Sequence, residues 1–149
     1  MLAQMDRSGF WAKPGPGYLP KYRSTVWSII LLAQLGASIE EDKRIGQACA
    51  YVLDQALTEG GQFTASGAPS GTADCLQGNL CRALAALGYS ADPRLKNALA
   101  LIRGKQDAQG RWPLEYDYTG KTWINFGPKG QPNKWVTLRA LRVLKAVSK

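Results

Sequence analysis

The sequence predicts an all-α fold built from repeated helical hairpins arranged in an inner and an outer layer. Three observations lead there. The segment Ile30-Leu31-Leu32-Ala33-Gln34-Leu35-Gly36 returns as Arg82-Ala83-Leu84-Ala85-Ala86-Leu87-Gly88, an internal repeat of about 50 residues such as stacked arrays show. Apolar residues recur at helical spacing within each copy. Start and stop signals bracket these stretches: Asp92 before Pro93 opens a helix, and Gly36 and Gly88 close one.

Taken in order, residues 1–11 resemble the tail of a unit, since Gln4 to Trp11 parallels Gln106 to Trp112. Residues 14–20, bounded by prolines, form a rigid and irregular approach. The first helix is expected over 24–35. Val26, Trp27, Ile29, Ile30, Leu31, Leu32 and Leu35 make it apolar almost all round, which calls for burial. The second, over 41–57, keeps Ile45, Cys49, Val52, Leu53 and Ala56 on one face, with Glu40, Glu41 and Asp42 at its positive end. The third, over 74–87, stacks Leu76, Leu80, Leu84 and Leu87. The fourth starts at Asp92 and presents Leu95, Ala98, Leu99 and Ile102. Residues 113–132 are a long link rich in Pro, Gly and aromatics, in which 123–126 is expected as a short strand. A fifth helix over 134–147 follows the cap Asn133. The chain thus divides into a tail (1–11), two whole units (24–63 and 74–112) and a partial unit (133–149), all within one domain.

Composition narrows the chemistry. With no histidine among 149 residues, His-based triads, His-containing zinc sites and pH switching near neutrality are disfavoured. A formal charge of +8 favours acidic partners through long-range attraction. Cys49, Cys75 and Cys81 are odd in number and form no CxxC pair, which argues against a disulfide framework and for a reducing, cytoplasmic setting. The apolar run 27–35 is far shorter than the ~18 residues of a membrane span, and no apolar leader core follows the N-terminus. RNP aromatics, zinc knuckles and basic heptads are missing, so no nucleic-acid partner is expected.

Alternating inner and outer helices with Gln-to-Trp closures resemble the α/α-toroid superfamily, which includes squalene and other class II terpenoid cyclases and protein prenyltransferase β subunits. The closures are Gln106/Gly110/Trp112, Gln4/Gly9/Trp11 and, more weakly, Gln55/Gly61/Phe63. More specific are Cys75-Leu76-Gln77-Gly78-Asn79-Leu80 and the run from Asn133 to Arg142, both similar to the bacterial squalene-cyclase-like branch. The likeness covers 22–145 and implies a ring segment of toroid type. That fold hosts several chemistries. The cyclases' DxDD acid motif has only Asp74 at the matching place, with no second carboxylate beside it. Gly130-Gln131-Pro132-Asn133-Lys134 is similar to a prenyltransferase segment, yet Thr137 and Arg139 stand where zinc ligands follow. No metal or cofactor is therefore expected.

The candidate site residues each carry two readings. Asp74 is either a catalytic acid or a helix-dipole partner. Cys75, at the head of the same helix, is either a nucleophile or inert; Cys49 and Cys81 read as core. Trp27, Trp123, Phe126 and Trp135 either line a cavity for an extended apolar ligand or staple helices together; Tyr51, Phe63 and Trp112 belong to the same aromatic set. Lys134 and Arg139, with Lys121, Lys129 and Arg142, either receive an anion such as a diphosphate or form a solvated basic face. The first expectation for function is a toroid module binding an isoprenoid-type molecule. The alternatives are a cyclase or prenyltransferase relative using Asp74, and a non-catalytic interaction scaffold. A closed toroid needs more helices than the five predicted here, so either self-association completes the ring or the chain is part of a longer protein.

Overall fold

The computed structural model describes residues 1–116 and 119–148. Among these it contains five α-helices: α1 (Thr25–Gln34), α2 (Lys43–Ala56), α3 (Asp74–Leu84), α4 (Pro93–Gly104) and α5 (Lys134–Val147). Short 3₁₀ turns cover Leu2–Gln4 and Pro69–Gly71, and a π turn, Ala85–Tyr89, extends α3. Isolated β-bridges occur, but no strand is present among the described residues.

Caps place the helix starts where side chains can satisfy free N–H groups. The Asp42 carboxylate accepts from the Arg44 N–H at 2.9 Å, so α2 begins two residues later than expected. Asp92 does the same for Arg94 at 2.9 Å, with Pro93 pre-set at the first helical position. Asn133 accepts from the N–H groups of Trp135 and Val136. Helices α2 and α4 share one apolar register counted from the capping aspartate. Ile45, Ala48, Cys49 and Val52 in α2 correspond to Leu95, Ala98, Leu99 and Ile102 in α4, and all eight are buried.

Helix α3 packs between α1 and α5, while α2 backs α1 and α4 backs α3. The odd helices thus form one row and the even ones a second row behind it. Val26, Ile29 and Leu32 of α1 enter the core, whereas Leu31 is 45% and Leu35 72% exposed. All-round burial of α1 therefore fails. The helix has neighbours on two sides, and none among the described residues covers the side that carries Leu31. The expected strand at 123–126 is also absent: Trp123 and Ile124 are exposed and take part in no β-bridge, and the Ile124 carbonyl accepts instead from the Thr122 hydroxyl at 2.8 Å. The link is closed instead by Pro113 bridging Pro132, with the Leu114 N–H donating to the Gln131 carbonyl at 2.9 Å.

One corner recurs three times. The N–H of Asp6, Thr58 and Asp107 donates to the carbonyl four residues on, at 2.8, 2.9 and 2.8 Å. Gly9, Gly61 and Gly110 then donate back at 2.9, 2.9 and 3.0 Å, with φ of +93°, +79° and +79°. That left-handed backbone is open to glycine without steric cost. Each corner ends on a buried aromatic, Trp11, Phe63 or Trp112. The N–H of that aromatic donates to the next inner helix: to Thr25 Oγ1 (3.0 Å), Gln77 Oε1 (2.8 Å) and Thr137 Oγ1 (3.0 Å). The indole of Trp11 donates to the Met1 carbonyl and that of Trp112 to Ile102, ten residues upstream in both cases. The repeat is anchored by Asp6, Thr58 and Asp107, five residues before the aromatic, rather than by the glutamines that suggested it.

Candidate functional site

A cavity of about 500 Å³ lies where α3, the C-terminal end of α4, the third corner and α5 meet. Phe63, Leu101, Ile102, Trp112, Val136, Ala140 and Val143 contribute its apolar lining; Asp74, Cys75, Lys105, Glu115, Tyr116 and Arg139 contribute its polar side. The volume falls within the range of small-molecule sites, which span about 300–1,000 Å³.

The corners explain why the space is open here. They align Thr25, Gln77 and Thr137, so Val26 of α1 corresponds to Gly78 of α3, and Leu80 of α3 to Ala140 of α5. In the gap between α1 and α3, Val26 and Leu80 are fully buried. In the gap between α3 and α5 the same positions hold Gly78 and Ala140. A Cβ built on Gly78 would meet only Val143 Cγ2, at 3.9 Å. Two large-to-small exchanges at equivalent positions leave volume that Val143 alone does not fill.

The polar side is charge-balanced: carboxylates from Asp74 and Glu115 face cations from Lys105 and Arg139. Lys105 Nζ donates to Asp74 Oδ1 at 2.9 Å and to Glu115 Oε2 at 2.5 Å. Partial burial raises the Asp74 pKa, but the hydrogen bonds from Lys105 and with Glu115 outweigh it, and the net shift is downward. Burial likewise lowers the Lys105 pKa, while its bonds to Glu115 and Asp74 carry the net shift upward. Asp74 is thus a carboxylate at neutral pH, a state opposite to that of a proton donor. Cys75 is exposed and unbonded to another thiol; burial pushes Cys49 and Cys81 up to about 12. Among the described residues no group of histidine, cysteine or carboxylate side chains could hold a metal ion.

Of the residues singled out from the sequence, Asp74, Cys75 and Arg139 line the cavity, as do Phe63 and Trp112 of the wider aromatic set. Trp27 does not: it stacks at 5.3 Å on Tyr18 and at 4.8 Å on Tyr22, and its indole donates to the Tyr18 carbonyl at 2.8 Å. Trp135 is exposed beneath the Lys134 ammonium, 5.4 Å from its ring centroid. Trp123 points into solvent, and Phe126 serves through its carbonyl, which accepts from the Asn133 amide. Lys121 sits over the Tyr116 ring, at 4.6 Å. Sequence reasoning passed over Lys105 and Glu115, which lie 31 and 41 positions beyond Asp74 and carry no motif. The cap position of Lys105, at the end of an apolar stripe, was the single available signal.

No helix among the described residues is long and apolar enough to cross a membrane. Compared with protein-family models and with curated proteins, the chain matches none.

Proposed function

We propose that this chain is a module of α/α-toroid type that binds an elongated apolar molecule of the isoprenoid kind in the cavity between α3 and α5. The observation that carries this reading is the cavity itself: apolar walls from three helices and a corner, with an ionic cluster at one side. Such a site buries a hydrocarbon body and leaves a hydroxyl or other small polar end beside Arg139 and the Lys105 cluster. The two rows of helices and the recurring corner support the toroid part of the proposal. Binding without turnover fits the salt-bridged state of Asp74, which holds no proton to give at neutral pH.

Displacement of 1-anilinonaphthalene-8-sulfonate by farnesol tests the reading. Ala140→Leu restores the side chain present at the equivalent position of α3 and fills the cavity. It is expected to weaken farnesol binding at least tenfold, about 1.4 kcal/mol, with the melting temperature unchanged or raised. Saturable binding that Ala140→Leu leaves untouched, or no binding of farnesol at all, overturns it.

A further inference from the structure

We infer that the molecule held in the cavity ends in a single carboxylate and that Arg139 is the residue that selects it; this rests on the cavity-binding reading above and names the polar end of its ligand. The lining divides by exposure. Phe63, Ile102, Trp112, Ala140 and Val143 are buried, whereas Arg139, Asp74 and Glu115 are exposed and Lys105 is half-buried. An elongated amphiphile therefore enters with its hydrocarbon inward and its head group at the charged rim, where water still reaches it. Arg139 stands on the side of α5 turned toward α3, about one helical turn from both Val136 and Val143.

The two cations at that rim are not equivalent. Lys105 already donates to Asp74 Oδ1 at 2.9 Å and to Glu115 Oε2 at 2.5 Å, so two carboxylates share one ammonium. Arg139 makes no hydrogen bond and no ion pair among the described residues, and α5 itself carries no acidic side chain for it to reach. Its guanidinium presents N–H donors in a planar fork that matches a carboxylate bidentately.

The balance of charge then sets the class of head group. Asp74, Glu115, Lys105 and Arg139 sum to zero, and one carboxylate meets one unpaired cation. A diphosphate brings several negative charges to a rim that already holds two carboxylates, with Lys105 occupied by both of them. An ammonium finds those carboxylates bonded to Lys105 and meets Arg139 with its own sign. A hydroxyl offers the fork a neutral acceptor, the weaker kind of partner. The repeat places this cation with the opening. Through Thr25, Gln77 and Thr137, Arg139 of α5 corresponds to Asn79 of α3 and Trp27 of α1. The charge thus stands in the unit whose gap is opened by Gly78 and Ala140, and the filled gap between α1 and α3 has a neutral amide at that position.

Isothermal titration calorimetry of the full chain at neutral pH, with three ligands sharing one isoprenoid chain, tests the assignment. Farnesoic acid is expected to bind at least tenfold more tightly than farnesol or farnesyl diphosphate. Arg139→Gln should cut the affinity for farnesoic acid at least tenfold and leave that for farnesol within twofold, with the melting temperature of the parent because the side chain is exposed and unpaired. Lys134→Gln removes the same charge from outside the cavity and should leave all three affinities unchanged, which separates the fork from the general attraction of a basic protein. Farnesoic acid should also slow thiol modification of Cys75, which lines the same cavity. Equal affinity for acid and alcohol, a preference that survives Arg139→Gln, an equal fall in Lys134→Gln or tighter binding of the diphosphate overturns the inference and leaves the cavity reading in place. Binding of neither acid nor alcohol, or acid binding that leaves Cys75 as reactive as before, overturns both.

Discussion

Gln77 offers the sharpest test of how the rows are tied together. Its side chain is buried and fully used: Oε1 accepts from the Phe63 N–H at 2.8 Å, while Nε2 donates to the carbonyls of Gly61 (3.0 Å) and Ala98 (2.9 Å). One amide thus joins the second corner, inner helix α3 and outer helix α4. Gln77→Leu keeps the approximate volume and removes all three bonds, leaving the Phe63 N–H without an acceptor. At about 1 kcal/mol for each bond, the expected loss is about 3 kcal/mol. For a domain of this size that lowers the melting temperature by about 6–12 °C, against a total stability of about 5–15 kcal/mol. Gln77→Thr supplies the hydroxyl found at the equivalent Thr25 and Thr137, both of which accept at 3.0 Å, so it should lose less. Gln77→Glu points a buried carboxylate at two carbonyls and should lose most at pH 8. The loss shrinks at pH 5, where burial favours the protonated form and its remaining donor. Urea denaturation at both pH values gives the ordering. If Leu and Glu each cost under 1 kcal/mol, the amide is not the tie described here.

The same structure sets three further outcomes. Gly78→Ala should stabilise by about 0.5–1 kcal/mol in denaturant melts, because the new methyl meets only Val143 at 3.9 Å and the unfolded chain loses freedom. A thiol reagent should modify Cys75 alone in the native protein, with Cys49 and Cys81 reacting only on unfolding, since burial holds those two up at about 12. Stability should be flat from pH 5 to 8, where no histidine titrates, and fall in acid. The sign follows from Asp42, Asp74, Asp92 and Asp107, all held below the ordinary 3.8 by hydrogen bonds and nearby cations. Their folded-state contribution is complete above that value and is lost as pH drops through the depressed ones. Asp74→Asn should therefore flatten the acid limb slightly, read as a smaller change in melting temperature between pH 5 and pH 3.

Much of the helical framework was legible residue by residue. Asp92-Pro93 and Asn133 announced helix starts because capping and proline geometry are local, decided by atoms within three positions. The apolar stripes of α2 and α4 were legible for a similar reason, one face of a helix being a matter of periodicity. Trp27, Trp123 and Trp135 show where this stops. Aromatic character alone does not say whether a ring stacks on a neighbouring tyrosine, stands in solvent or lines a wall; that depends on which face the packing turns outward. The strand expected at 123–126 fails for a related reason: β-branched and aromatic residues need a partner strand, and the described residues offer none.

By itself the sequence determined the repeat, the positions of most helix ends and the kinds of side chain each unit offers, because these depend on short-range sterics and hydrogen bonding. The tertiary structure alone decided that Gly78 and Ala140 meet across one gap and that Lys105 reaches two carboxylates distant in the chain. Those outcomes arise from how separate helices are set side by side, and burial is a property of neighbours in space rather than of any residue's own letter.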